Sequence, residues 1–556
     1  MDNIKNSCAF PAGAIGAVLA SRDISVDAID EVAIAGREVF PSRCYAYLFN
    51  SENRIEHAPL VRVARRMELA FPGRALPWLF STLRKGRRRA LLAEGLHELE
   101  TRLSTVGLGT KPRTHIEHHE CHARAAFHSL DRTYGQDPAL ILTLDGSGDR
   151  LCSTVTRFNP KLGWERLAAT PASASIGGIY SLTTRFLGMK ILEHEYKVMG
   201  LAPYSHGRHL EAYRRIFAPV LDLDAQEPLR FSTAFDTSRF LEYLVRNAMG
   251  TRFDHLAGAL QHLLEERVTA WVRAAIVRTG TRRVFTGGGV FMNVKLNKRI
   301  QELEEVEQAF FMPSCGDESN AIGAAYALAV ARGVVVRPLR DLYLGLEYSD
   351  REIDGFIARH GLRARYRVLR LDEPEERIAT LLANGQVVAR FAGRGEWGAR
   401  SLGNRAILAH PRYLETAYEV NHLIKARDFW MPFAPTILDT AAGRYLEGYD
   451  AKKVEAPYMI TAFGATPLAL EHLRGAMHQG DQTIRPQVLT EDANPSYYRL
   501  IKAFERRTGV GGILNTSLNL HGEPLAGTLD QALMTFERSG LRHLVLETFL
   551  ISKDAA

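Results

Sequence analysis

The chain has 556 residues, of which 46% are apolar and 24% charged, an ordinary balance for a soluble protein of two or three domains that buries its core without staples. A formal net charge of +7 and a pI of about 9.1 suit anionic ligands such as phosphates and nucleotides, and equally a mildly basic surface with no partner. Cys8, Cys44, Cys121, Cys152 and Cys315 form no C-x-x-C pair, no long apolar run suggests a membrane span, and the first residues lack a signal-peptide pattern; a disulfide framework, a thiolate zinc site and a transmembrane segment are excluded and a cytoplasmic protein is expected.

The pattern predicts a helix over Phe10–Ser21 and a strand over Glu31–Gly36, then an insertion at about 40–89. Within it, Arg62–Arg89 is arginine-rich with Leu, Trp and Phe between the charges. It reads either as a basic amphipathic segment for a membrane or acidic partner, or as a solvated helix face. Leu91–Leu103 reads as a helix, Thr114–Glu117 as a strand and Glu120–Leu130 as a helix. Three successive strands follow at Ala139–Leu144, Arg150–Phe158 and Gly163–Ala169, then a helix at Gly178–Leu187. A second insertion, about 208–253, precedes the helix Asp254–Arg278. Strand Arg283–Thr286, a helix after Asn293, strand Gln308–Phe311 and helix Asn320–Ala331 complete the unit. Three strands followed by alternating helix and strand is the order of one lobe of the actin-like ATPase fold. The preceding lobe shows only the later half of that order, so its three opening strands are expected to be absent. The rhythm breaks around 334–370, where Tyr343–Ser349 reads as a connector. The expected division is a first domain over 1–345 and a second α/β domain over 366–556.

Five clusters carry chemistry. His115, His118, His119, Glu120 and His122 are dense in imidazole, which suits a divalent metal. His118 and His122 share a helix face, but so do His115 and His119, and the spacing leaves both pairs open. In Leu142–Asp149, an apolar strand ends in Asp145 followed by Gly146, Ser147 and Gly148. That is either a metal carboxylate beside a phosphate-facing backbone or a plain hairpin turn. Gly287, Gly288 and Gly289 leave bare backbone for a nucleotide, and Asn293 is placed to cap the next helix. Asp317 stands after a strand and before the small-residue helix Asn320–Ala331, as a carboxylate ligand or a capping residue. Finally, Gly393–Arg405 threads Arg400 and Arg405 among Gly and Trp, with Lys425, Arg427 and Arg485 beyond and Leu514–Asn519 adding hydroxyl and amide groups. This predicts an anion site, because arginines fork onto phosphate or carboxylate oxygens.

Taken with Glu195–Tyr204, Asp428–Pro435 and Asn515–Ser517, these blocks resemble the O-carbamoyltransferase family of antibiotic tailoring and nodulation-factor modification. The resemblance covers most of the chain. It implies a Kae-like domain of the actin-like ATPase fold followed by a YrdC-like domain. It implies carbamoyl phosphate and ATP (with Mg(II)) as substrates, giving carbamoyl adenylate, and transfer of the carbamoyl group to a hydroxyl of a small natural product. It also implies iron(II), or another divalent metal, held by His118, His122, Asp145 and Asp317. Carbamoyl-phosphate contacts fall on Lys425, Arg485 and Ser517, with Arg400 and Arg405 as phosphate neighbours. Nucleotide-facing positions fall on Gly146, Ser147, Gly148, Lys197, Gly200, Gly287, Gly288, Gly289, Asn293 and Asn515. The family opens with strands bearing a His-Asp-Gly-type motif, and this sequence begins at the helix that follows them. The insertions at about 40–89 and 208–253 are expected to shape acceptor choice. Two alternatives share these features: a threonylcarbamoyl-adenosine-type tRNA modification enzyme and a catalytically inactive nucleotide-binding protein. No nucleic-acid-binding motif stands out, so no nucleic-acid partner is expected. A hydrogenase maturation factor would carry paired C-x-x-C motifs.

Overall fold

In the computed structural model the described residues, 10–42, 44 and 76–553, form a mixed α/β protein with two large sheets. Most of the first expected insertion, including Arg62–Arg74, lies outside them. Its last part opens the helix Leu76–Thr105, a single 30-residue element that absorbs the helix expected at Leu91–Leu103.

The first body is a five-stranded sheet in the order Gly163–Pro171, Leu151–Asn159, Ala139–Gly148, Arg283–Gly287, Gln308–Phe311. The first three run antiparallel and the last two join in parallel. Ala139–Leu144 is buried throughout, as an apolar run with no alternation requires. The helices His118–Leu130 and Ile176–Phe186 pack on this central strand. Val32–Ala35 and Arg113–Ile116 make a separate parallel pair, the earliest strands among the described residues. The second insertion folds as short elements, among them strands Leu221–Leu223 and Phe231–Thr233. It is tied down by buried Trp271, whose indole N–H donates to Leu229 O at 2.8 Å.

The second body is an eight-stranded sheet in the order Arg367–Arg370, Phe549–Ser552, His543–Leu546, Val388–Phe391, Arg405–Ala409, Gly512–Ser517, Ala434–Leu438, Gln487–Leu489. It begins earlier than residue 366. Helix Asp350–Arg359, opened by a Ser349–Glu352 capping box, buries Ile353, Phe356 and Ile357 in its core. Along the connector, Gly345 N donates to Gly395 O (2.8 Å) and Gly395 N to Leu346 O (3.0 Å).

The bodies are welded rather than hinged. One apolar core cluster runs through both. Several polar groups buried at the seam are paired across it, although Asn297 Oδ1 has no partner. Asn297 Nδ2 donates to Ile460 O at 2.7 Å, Gln301 Nε2 to Ala462 O at 3.0 Å, and Thr461 Oγ1 to Gln301 Oε1 at 2.6 Å. Asn297→Leu keeps the volume but strands the Ile460 carbonyl in an apolar seam. It is expected to destabilise the protein by about 1–3 kcal/mol in equilibrium denaturation. An unshifted midpoint would show that the seam does not depend on this bond.

Candidate metal centre and anion site

Helix His118–Leu130 starts directly after strand Arg113–Ile116, and its N-cap Glu117 accepts from His119 N (2.9 Å) and Glu120 N (3.0 Å). That start decides between the two histidine pairs. His115 remains on the strand with Nδ1 on Gly36 O at 3.1 Å, and His119 turns inward onto Thr143 Oγ1 at 2.9 Å. His118 and His122, one turn apart, face Asp145 at the end of the central strand and Asp317 ahead of helix Asn320–Ala331.

The ligand atoms of these residues lie within 4.8 Å of one another, the one such group among the described residues. His118 Nε2 is 3.2 Å from Asp145 Oδ2 and 3.4 Å from Asp317 Oδ1; His122 Nε2 is 3.8 Å and 3.5 Å from the same atoms. The two Nε2 atoms face each other at 3.1 Å. Two imidazole nitrogens aimed at one point between carboxylates require a positive charge there, a proton or a metal. Burial pushes His122 down, but Asp145 and Asp317 outweigh it and hold the imidazole at about 9. Burial would raise Asp145, yet the two histidines hold it well below the usual carboxylate range. Behind the rings, His122 Nδ1 meets Ser319 Oγ and His118 Nδ1 meets Asn320 Nδ2, both at 3.4 Å. Such outer contacts fix ring orientation. His122 is fully buried while the Asp317 side chain is 72% exposed, so the cluster opens to one side. The donor set fits a divalent transition metal.

The surrounding glycines serve this cluster. A Cβ on Gly148 would fall 2.0 Å from the His118 ring, and one on Gly287 would fall 2.8 Å from His122 O. Gly289 N donates to Asp145 Oδ1 at 3.0 Å. The stretch expected to face a nucleotide therefore has a packing reason at the metal side. Gly146 O accepts from Ser175 Oγ at 2.7 Å, and Ser147 is exposed. The hairpin turn lies beyond them, at Asp149 and Arg150, both with positive φ. Asn293 caps helix Val294–Gln301 through Leu296 N at 3.0 Å and pairs its amide with Gln261.

The second cluster forms where three chain segments reach one end of the large sheet. Ala434 pairs with Asn515, and Thr436 runs parallel to Gln487. The residues leading into Ala434 and Gln487 thus meet the end of strand Gly512–Ser517, bringing Lys425, Arg427, Arg485 and Ser517 together. Lys425 is 2% exposed, and its ammonium reaches Ser517 O (2.5 Å), Ser517 Oγ (3.2 Å), Asn519 O (3.0 Å) and Asn519 Oδ1 (2.6 Å). All four acceptors are neutral, and burial, then Arg427, push the ammonium well below its usual range. Arg427 stacks its guanidinium 4.3 Å from the Phe433 ring centre, with Nε and Nη2 buried and without a partner. Arg400 Nε is likewise buried and unmatched. Burial first, then Arg400 and Arg427, drive Arg485 well below the guanidinium range. None of these four cations has a carboxylate partner among the described residues. Uncompensated buried cations are costly unless an anion arrives.

Other expected site residues are spent elsewhere. Arg405 Nη1 and Nη2 donate to the carbonyls of Ala392, Asn404, Leu346 and Gly393, so its guanidinium holds the connector and leaves neither Nη for a phosphate. Asn515 bonds Ser401 and Thr436. Lys197 pairs with Asp428 at 3.0 Å, and Gly200 O takes His478 Nε2 at 2.8 Å, both across the seam. Arg427 and Asn519 stand in the stretches that the sequence reading joined into an anion site, but neither was assigned a specific contact.

The carbamoyltransferase N-terminus family matches residues 88–326 and the carbamoyltransferase C-terminus family residues 379–553. Nodulation protein NolNO of Sinorhizobium fredii is 32% identical over 79% of this chain and 64% of its own length. The chain thus spans less than two thirds of that relative. Nodulation protein NolO of Bradyrhizobium diazoefficiens is 31% identical over 79% of each chain. A 3'-hydroxymethylcephem-O-carbamoyltransferase of Amycolatopsis lactamdurans is 30% identical over 47% of each. Among solved structures, full-length HypF in the phosphate- and nucleotide-bound form covers 45% of this chain and 41% of its own at 14% identity and a TM-score of 0.26, too low to bear on the fold. Both family matches, in order along one chain, and relatives of this identity lead to one conclusion: the protein belongs to the O-carbamoyltransferase family of antibiotic tailoring and nodulation-factor modification.

Proposed function

We propose that the chain is an ATP-dependent carbamoyltransferase in which the two clusters carry successive half-reactions. The observation that carries this reading is the set of cations formed by buried Lys425 and half-buried Arg400, Arg427 and Arg485, with no carboxylate among them. Such a site favours a multiply charged anion, and carbamoyl phosphate together with the phosphates of Mg(II)–ATP meets that need. Water cleaves carbamoyl phosphate to carbamate and phosphate. A carbamate oxygen then attacks the α-phosphorus of ATP and expels pyrophosphate, leaving carbamoyl adenylate. Arginines fixed at the developing phosphate charge stabilise both steps without reorganising. Lys425, held by Ser517 and Asn519, offers a point charge beside them.

The acceptor hydroxyl then attacks the carbamoyl carbon and AMP leaves. His118, His122, Asp145 and Asp317 would hold a divalent metal, iron(II) in the family reading, which supplies Lewis acidity toward a carbonyl when bound. The antiparallel-then-parallel order of the five-stranded sheet supports the actin-like, Kae-like assignment of the first body, and the second would be YrdC-like. The relatives named above support a small natural-product hydroxyl as acceptor. No helix among the described residues is long and apolar enough to cross a membrane, and we place the reaction in the cytoplasm.

The test is pyrophosphate release from ATP by the full chain, without acceptor, alongside metal analysis of the same sample. Release that depends on carbamoyl phosphate is expected. Its absence from folded, metal-loaded protein would overturn the reading.

A further inference from the structure

Buried arginines that wait for a substrate face a chemical problem. A nearby carboxylate on the same chain would neutralise them first, because an intramolecular partner competes at high effective concentration. Asp428 is such a carboxylate, since it follows Arg427 directly. It does not turn toward the cluster. Its Oδ2 lies 3.0 Å from Lys197 Nζ, and the Lys197 side chain is only 12% exposed. Lys197 belongs to the first body, on helix Glu195–Leu201.

That helix is held against the Asp428 loop at more than one point. Trp430 Nε1 donates to Lys197 O at 3.1 Å, and a Cβ on Gly200 would fall 3.2 Å from Trp430 O. His478 Nε2 donates to Gly200 O at 2.8 Å. Lys197 is therefore fixed from both sides, and its ammonium is the cation that claims Asp428. Arg427 Nε and Nη2 are left buried and unmatched.

We propose that Lys197 is a positioning residue: by holding Asp428 across the seam, it prevents an internal salt bridge to the arginines and keeps the anion site open for a phosphate ligand. This rests on the reading of the arginine cluster as an anion site. It gives the first body a part in the second body's chemistry that its own metal cluster does not play. Without Lys197, Asp428 turns to Arg427 or Arg400 and competes with substrate phosphate.

A double-mutant cycle on the full chain tests this, with inorganic pyrophosphate as the calorimetric probe. Lys197→Met is expected to weaken binding about tenfold or more, within the usual range of couplings between neighbouring charges. Asp428→Asn binds at least as well as wild type. In the Asp428→Asn background, Lys197→Met costs no more than about twofold. Lys197→Arg, which keeps the pair, retains wild-type affinity. Lys197→Gln gives the same comparison should the methionine variant fail to fold. Two results overturn the proposal: wild-type affinity in Lys197→Met, or an equal loss with and without Asp428, which is what a merely structural lysine produces. Wild-type protein that binds no pyrophosphate instead removes the anion-site reading itself, before any variant is compared.

Discussion

Arg485→Gln is expected to abolish carbamoyl-phosphate-dependent pyrophosphate release while raising the thermal midpoint of the ligand-free protein. The two effects share one cause. Arg485 lies half-buried beside Arg400 and Arg427, and desolvation and both neighbours disfavour its charge. Without an anion this is a like-charge cluster with unmatched guanidinium nitrogens, and a shorter, neutral amide relieves it. A gain of roughly 0.5–2 kcal/mol is the usual size for removing a strained functional group. With substrate present the sign reverses, because the same charge balances the phosphates. Losing one such donor costs about a hundredfold or more in rate. Differential scanning calorimetry with and without pyrophosphate separates the two. The variant is expected to melt higher alone and to gain little from ligand, whereas wild type gains much. Wild-type turnover in the variant would remove Arg485 from the anion site. A lower midpoint without ligand would show that packing around the side chain outweighs the repulsion.

That inversion bears on what the sequence revealed. Residue types and motif order led to the expectation of two α/β domains and grouped Lys425, Arg485 and Arg400 in the proposed anion site. The strand Gln308–Phe311 was legible from local apolar patterning, whereas the central strand, expected to end at Leu144, runs on to Gly148. Partnership was not legible. Arg405 looks like Arg400 in sequence, both within a Gly-rich run. Only the fold shows that both Nη atoms of Arg405 are taken by four carbonyl oxygens, although its Nε is as unmatched as that of Arg400. Lys197 and Asp428 are far apart in the chain and meet only at the seam. The histidine ambiguity was likewise unresolvable from spacing, since it depends on where strand Arg113–Ile116 stops and the helix begins. The second body's early start at Asp350 escaped notice because a short amphipathic helix carries no mark of which core it joins.

His122→Ala is expected to lose bound metal and acceptor-dependent carbamoyl transfer but to keep carbamoyl-phosphate-dependent pyrophosphate release. The side chain is fully buried and sits between Asp145 and Asp317. Its removal deletes one donor and leaves Asp145 with His118 and the Gly289 N–H. Loss of even an outer partner typically lowers metal affinity about 10–100-fold, and loss of a ligand is expected to cost more. The prediction separates the bodies because their clusters are built from different segments: metal ligands come from His118–Leu130, Ala139–Gly148 and the turn at Asp317, anion-site cations from 400–485. Besides the Lys197–Asp428 ion pair, the seam carries packing and neutral hydrogen bonds between the bodies, and none of these contacts involves a residue of the metal cluster. Metal stoichiometry by elemental analysis, pyrophosphate release without acceptor, and carbamoylated product with acceptor are measured on one preparation. Retention of metal at wild-type stoichiometry would remove His122 from the ligand set. Loss of pyrophosphate release from a folded variant would mean that the metal cluster also serves the first half-reaction, and the division of labour between the two bodies would have to be redrawn.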